Sequence, residues 1–97
     1  MEHIIKREGN KFYLGNTLAD KYGEIDFHID AHNRIVVTHT FVDPKYRGMG
    51  LANKLLDAVI DLATETGQKI IPVCPFVIKV MTHGDKYKHL LDPSFKG

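Results

Sequence analysis

At 97 residues, with a formal net charge of +1, 43% hydrophobic and 26% charged side chains, the chain is sized for one modest globular core, expected to span residues 1–97 as a single domain. The near-neutral balance leaves no electrostatic footprint for nucleic acid or an anionic membrane surface. The longest apolar run, 70–80, is interrupted by Pro72, Pro75 and Lys79 and cannot span a bilayer, and the single cysteine, Cys74, excludes an internal disulfide and points to a reducing cytoplasm.

The opening "MEHIIKREG" lacks the basic-then-apolar pattern of a signal peptide. Residues 3–8 and 11–15 are short, partly alternating runs on either side of Gly9 and Asn10, a hairpin turn pair. The polar stretch "GNTLADKYG" (15–23) reads as a loop. Residues 24–31 then alternate, with Ile25, Phe27, Ile29 and Ala31 on one face and Glu24, Asp26, His28 and Asp30 on the other, the pattern of an antiparallel strand with one solvated side. After the turn "AHNR", residues 34–42 are β-branched and apolar on both faces, which places that strand inside a sheet. Simple alternation puts His39 on the same face as Ile35, Val37 and Phe41.

Beyond Pro44 the period changes. Leu51, Leu55, Val59 and Leu62, widened by Ala52, Leu56, Ile60 and Ala63, form a helical stripe, while Lys54, Asp57, Asp61 and Glu65 supply a narrow wet face. The helix is expected from about Gly50 to Thr66, with Gly67 as a left-handed cap. Residues 69–74, "KIIPVC", read as a short buried strand. Pro75 opens a second helix with Phe76, Val77, Val80 and Met81 inward, ending near Gly84, and "DKYKHLLD" (85–92) reads as a last helical turn or two. The strand at 34–42, the long helix and the strand at 69–74 suit one right-handed crossover between parallel neighbours.

Between strand and helix lies "YRGMGLA" (46–52). The first amides of a helix have no intrahelical partners, and the helix dipole leaves positive charge there. Gly48 and Gly50 remove the β-carbons that would keep a ligand away, and Arg47 adds a permanent charge, so a phosphate or pyrophosphate fits. A tight turn needing positive backbone angles is the other reading of the same glycines. No Gly-Lys-Ser/Thr ending and no third glycine are present, which sets aside the triphosphate and dinucleotide loops.

The stretch "VDPKYRGMGLA" (42–52) resembles the acyl-coenzyme-A signature of the GNAT acetyltransferases, R/Q-x-x-G-x-G/A, met here by Arg47, Gly50 and Ala52. "HT-x-V" at residues 39–42, "P-x-C-x-[FY]-V" at 72–77 and "Tyr-x-x-Leu" at 87–90 are similar to motifs of a compact, single-domain branch of that superfamily, so the likeness runs from about residue 10 to 92. It implies an α+β fold, α/β/α layered: a mixed, mostly antiparallel twisted sheet with one parallel pair splayed around the coenzyme, flanked by two or three helices. It also implies an N-acetyltransferase that takes acetyl-coenzyme A as cosubstrate, needs no metal, and acts on an amine acceptor, small molecule, peptide or protein, that the sequence does not identify. Phe41, Val42, Arg47, Gly48, Met49, Gly50, Leu51 and Ala52 are the expected coenzyme-binding residues, with a backbone amide near residues 39–41 as oxyanion donor.

His39 is the candidate base, since imidazole titrates near neutral pH, although a strand histidine can equally hold a neighbouring backbone group. Cys74 could accept the acetyl group, protonate the leaving thiolate, or simply fill the core. Many GNAT enzymes use a tyrosine early in the following helix as general acid; here "PFVIKVMTHG" has none, and Val80 stands at the corresponding place. That departure keeps open a second class, an acyl-coenzyme-A-binding module with little or no catalysis, and beyond it a plain phosphate- or nucleotide-binding domain. Asp26, His28, Asp30 and His32 could be read as metal ligands but are taken as a solvated strand face. Lys79, Lys86, Lys88 and His89 are a basic surface from which one or two lysines could reach an adenosine 3′-phosphate. The acceptor side is expected to be open, and the chain to be a monomer or weak homodimer.

Overall fold

The structure, a computed structural model, describes residues 3–95. Strands β1 (Ile5–Glu8), β2 (Lys11–Gly15), β3 (Lys21–Ile29) and β4 (Ile35–Val42) pair antiparallel in succession, and β5 (Ile70–Pro72) joins β4 in parallel, giving one sheet in the order β1-β2-β3-β4-β5. A short 3-10 turn, Pro44–Tyr46, leads from β4 toward helix α1 (Leu51–Thr66), and helix α2 (Pro75–Met81) follows β5. Two α-helices and this mixed sheet with its single parallel pair are the α+β arrangement the sequence pattern called for.

The core lies between α1 and one face of the sheet. Leu51, Leu55, Leu56, Val59 and Ala63 from the helix bury against Leu14, Ile25, Phe27, Ile35 and Val37, and Val77 and Met81 of α2 join the same cluster. Gly23 lets Leu14 and Leu55 approach, since a β-carbon there would stand 3.1 Å from Leu14 Cδ1 and 3.4 Å from Leu55 Cδ1. Gly67 closes α1 with φ at 74°, its N–H donating to Ala63 O at 2.9 Å.

Several boundaries move for tertiary reasons. β3 begins at Lys21, inside the stretch expected to be loop, because Tyr22 stacks on Tyr46 at 4.3 Å and its carbonyl accepts the Asp43 N–H at 2.8 Å. β5 is confined to residues 70–72, shorter than the 69–74 expected. Residues 85–92 form turns, not a helix: Ile70 N–H donates to Leu90 O, Asp92 N–H donates to Ile70 O, and Leu91 bridges Ile70 in parallel. Arg34 holds this tail, with its guanidinium 2.8 Å from Asp30 and 3.3 Å from Asp92.

Polar residues of β3 also depart from expectation. Glu24 is buried and Asp26 half-buried, so the second face of the sheet is not simply solvated. Asp30 turns back to accept the amides of His32 and Arg34, so Asp26, His28, Asp30 and His32 do not converge. No helix long and apolar enough to cross a membrane occurs among the described residues.

Candidate active site

The site is assembled at the carboxyl end of β4, where the chain leaves the sheet for α1. Asp43 starts the turn, its carboxylate accepting the Lys45 N–H at 2.9 Å. Pro44 fixes the next step, and Gly48 and Gly50 follow in the left-handed region, with φ at 85° and 72°. Within α1 the first amide bonded across this junction is Lys54 N–H to Gly50 O, 3.1 Å. Among the described residues, the amides of residues 48–53 find no acceptor in the chain, and Gly50 brings no side-chain cap.

A β-carbon on Gly48 or Gly50 would meet nothing of the protein within 4 Å; it would project into open space beside those amides. Val42, Tyr46, Arg47, Gly48, Gly50, Leu51 and Ala52 line a pocket of about 170 Å³ there. Free donors, a helix N-terminus and a nearby guanidinium suit an anionic group of phosphate size. Arg47 folds back, Nε donating to Val42 O at 3.3 Å, while Met49 is 57% exposed and stands outside the pocket, as does Phe41. Tyr46, which sequence reasoning passed over, lines this pocket and stacks on Tyr22; an aromatic next to Arg47 was the available signal.

Beside the pocket the parallel pair separates. Ile35 N–H bonds Lys69 O at 2.9 Å, and Val37 O then accepts from both Val73 and Cys74, at 2.9 and 3.0 Å. Pairing with β5 stops there, although β4 continues to Val42. Because the Asp43 amide turns to β3, strand alternation directs those of Thr40 and Val42 into the gap that β5 leaves. A second groove, about 400 Å³ and lined by Asn53, Phe76, Lys79, Val80 and His83, lies between the start of α1 and α2. Phe76 and Val80, expected inward, face this groove, while Val77 and Met81 alone of α2 are buried.

The β3–β4 register jumps from Asp26↔His39 to Phe27↔Val37, leaving Thr38 as an extra residue in β4. The bulge corrects the expected parity. Ile35 and Val37 point into the core, but His39 and Phe41 fall on the opposite face, paired with Asp26 and Glu24. Thr40 pairs with Ile25 on the core side, and its Oγ1 accepts the Cys74 thiol at 3.4 Å. His39 is exposed and Cys74 only 7% exposed. The two candidates therefore flank β4 on opposite sides and do not meet.

The His39 side carries a charged network. Lys11 Nζ lies 3.1 Å from Glu24 Oε2 and 3.2 Å from Asp26 Oδ1, and Lys21 Nζ lies 3.3 Å from Glu24 Oε1. Glu24 is held at about 2, chiefly because a protonated Asp26 would donate to it, with both lysines adding to the effect against desolvation. Asp26 is raised, first by burial and then by Glu24, so the pair takes its first proton on Asp26. Asp26 Oδ1 is buried without a hydrogen bond: the Lys11 ammonium is near enough for ionic contact, but its aligned bond goes to Glu24.

Comparison with known proteins points in one direction. A family profile described as GCN5-related N-acetyl-transferase matches residues 11–90. A GCN5-like protein from Staphylococcus aureus, solved by NMR, is 34% identical with a TM-score of 0.78, over 92% of this chain and 87% of that one. AAC(6')-Iy, solved with the bisubstrate analog CoA-S-monomethyl-acetylneamine, shares the fold at 19% identity and TM-score 0.55, over 90% of this chain and 64% of that one. So does a ribosomal-protein-alanine N-acetyltransferase from Brucella melitensis biovar Abortus 2308, at 20% identity and TM-score 0.53, over 94% and 70%. No curated protein matches the chain.

Proposed function

The chain belongs to the GCN5-related N-acetyltransferases, and from that premise we propose that it moves the acetyl group of acetyl-coenzyme A directly to an amine entering from the uncovered face of the sheet. The observation that carries this reading is the row of unpartnered amides at residues 48–53, opening on the glycine-lined pocket next to the gap between β4 and β5. The diphosphate of the cosubstrate binds those amides with Arg47, and its arm follows the exposed edge of β4 past Val42 and Thr40. The thioester carbonyl then lies at the bulge, where an amide of β4 facing the gap stabilises the growing charge on oxygen.

The two sides of β4 divide the proton work. His39, on the open face, takes the proton of the attacking amine. Cys74, on the coenzyme side, gives its thiol proton to the departing sulfur and recovers one from water, the part a tyrosine of α2 would otherwise fill. A cytoplasmic setting, where acetyl-coenzyme A is at hand, suits this chemistry. The test is consumption of acetyl-coenzyme A against a panel of small amines, peptides and lysine-bearing proteins. Turnover with any of them sustains the reading; tight coenzyme binding without turnover would instead make the protein an acyl-coenzyme-A-binding module, the alternative that the absence of tyrosine in α2 favours.

A further inference from the structure

We propose that Asp26 is the positioning residue of the acceptor side: its carboxylate orients the His39 imidazole and stabilises it once it has taken the amine's proton. The inference rests on the acyl-transfer reading above. It is carried by register and by an unmet bond. Asp26 and His39 are direct cross-strand partners at the edge of the bulge. Partners of that kind bring β-carbons to roughly 4.5–5.5 Å, within reach of an imidazole and a carboxylate.

Asp26 Oδ1 is buried with the Lys11 ammonium 3.2 Å away as an ionic neighbour but with no aligned hydrogen bond, so it keeps room for a donor. The groups that face it on this side of the sheet are Lys11 and Tyr13 from β2, Glu24 and His28 from β3, and His39 and Phe41 from β4. Lys11 gives its aligned bond to Glu24, to which Lys21 is also tied, and His28 pairs with Val36, further along the strand. Phe41 has no side-chain donor, and the direct partner of Tyr13 is Glu24. Among the described residues the His39 imidazole has no hydrogen-bond partner, and it is exposed, so its ring is free to turn. It is the donor placed to complete Asp26.

The bulge explains the arrangement. Without the extra Thr38, His39 would share the core-facing side of Val37; with it, the imidazole falls on the face of the charged network, across from Asp26. In the reaction, the amine nitrogen bonds to the acetyl carbon as its proton passes to His39 Nε2. The carbon–sulfur bond breaks, and the sulfur takes a proton from Cys74. The Nδ1–H of His39 donates to Asp26 throughout, and the imidazolium afterwards returns its extra proton to water.

Nitrogen-15 NMR of His39 in the wild type, Asp26→Asn, Asp26→Glu and Lys21→Gln proteins, paired with steady-state kinetics on the best amine found, tests this. A single Nδ1–H tautomer is expected in the wild type, a mixture in Asp26→Asn, partial return in Asp26→Glu, and no change in Lys21→Gln, which loosens the same network at Glu24 and not at Asp26. In parallel, kcat of Asp26→Asn should fall roughly 10–100-fold with KM for acetyl-coenzyme A unchanged, and the acid limb of its rate profile should move to lower pH. An identical tautomer in wild type and Asp26→Asn would overturn the proposal, as would an unchanged kcat in an active enzyme. A locked tautomer released by Asp26→Asn, in a protein that acetylates nothing, would sink the acyl-transfer reading and keep the pair.

Discussion

The two sides of β4 are built by different means. On the coenzyme side the site is backbone: free amides, two left-handed glycines and the end of a helix dipole, with Arg47 as the one charged side chain. On the open side it is side chain: Lys11, Glu24, Asp26 and His39, brought together by strand register. A backbone site accepts any ligand with the same anion and tolerates change in neighbouring side chains. A side-chain site can vary with the acceptor while the fold stays constant. The larger share of specificity therefore belongs on the open side, and the larger share of affinity in the glycine turn.

The sharpest way to break this comparison uses the two ends of one helix. Gly50 and Gly67 bracket α1 with φ of 72° and 74°, and a β-carbon on either meets nothing within 4 Å. Gly50→Val and Gly67→Val should each cost roughly 1–2 kcal/mol of stability from left-handed strain, which a fold of ordinary stability survives. Only Gly50→Val fills the space beside the free amides, so only it should weaken coenzyme A binding, by at least about 100-fold, or roughly 2.7 kcal/mol. Calorimetric titration with thermal melts of both variants checks this; equal affinities would show that the glycines serve the turn alone.

On the other side of β4 the signs reverse. His39→Ala should lower kcat by about 30–100-fold, the range of a lost general base, with coenzyme affinity within about twofold of wild type, since His39 does not line the glycine pocket. Steady-state kinetics beside a binding titration separates the two. A variant that lost affinity and turnover together would mean that the imidazole belongs to the coenzyme side after all.

What could be read from the sequence follows the same division. The glycine turn is local: Gly48, Gly50 and Gly67 adopt the left-handed angles their neighbours suggest, and the residues between Arg47 and Ala52 line one pocket apart from Met49. The open side depends on register, which no local pattern records. The run Thr38, His39, Thr40 offers no sign of a bulge, yet one inserted residue moves His39 to the other face. Glu24 and Asp26 look like solvent-facing alternation until β2 supplies Lys11. Likewise Leu90 and Leu91 have helical company in sequence, but the free edge of β5 takes the Leu90 carbonyl and the Asp92 N–H instead.

The charged network predicts an acid response of definite sign. Glu24 is lowered from 4.5 to about 2 in the fold, so its contribution is present above pH 4.5 and is lost as pH falls toward 2. Asp26 is raised, so its contribution runs the other way: it favours the fold while protonated and is lost as pH rises through its elevated value. Urea denaturation between pH 2.5 and 7 should show the wild type losing stability toward acid, with Glu24→Gln flattening that slope and lowering stability at neutral pH, where Lys11 and Lys21 lose their partner. A slope unchanged by Glu24→Gln would mean that the network is solvated in solution and that Asp26 lacks the dry surroundings that leave its oxygen wanting a donor.

The smallest effect belongs to Cys74, and it tests whether the strand truly separates the two sides. Its thiol is 7% exposed, bonded to Thr40 and set across β4 from His39, so the base that would activate it as a nucleophile is out of reach. In direct transfer it only assists the departing sulfur, which water or solvent can also protonate. Cys74→Ala should therefore reduce kcat by about 3–10-fold, less than the loss of a base, and intact-mass measurement after incubation with acetyl-coenzyme A should find no acetyl adduct on the wild type. A thioester on Cys74 formed and discharged at the rate of turnover would place both half-reactions on the coenzyme side. The amine would then attack the Cys74 thioester and not the cosubstrate's own, and His39, across the strand, would be the wrong base for it.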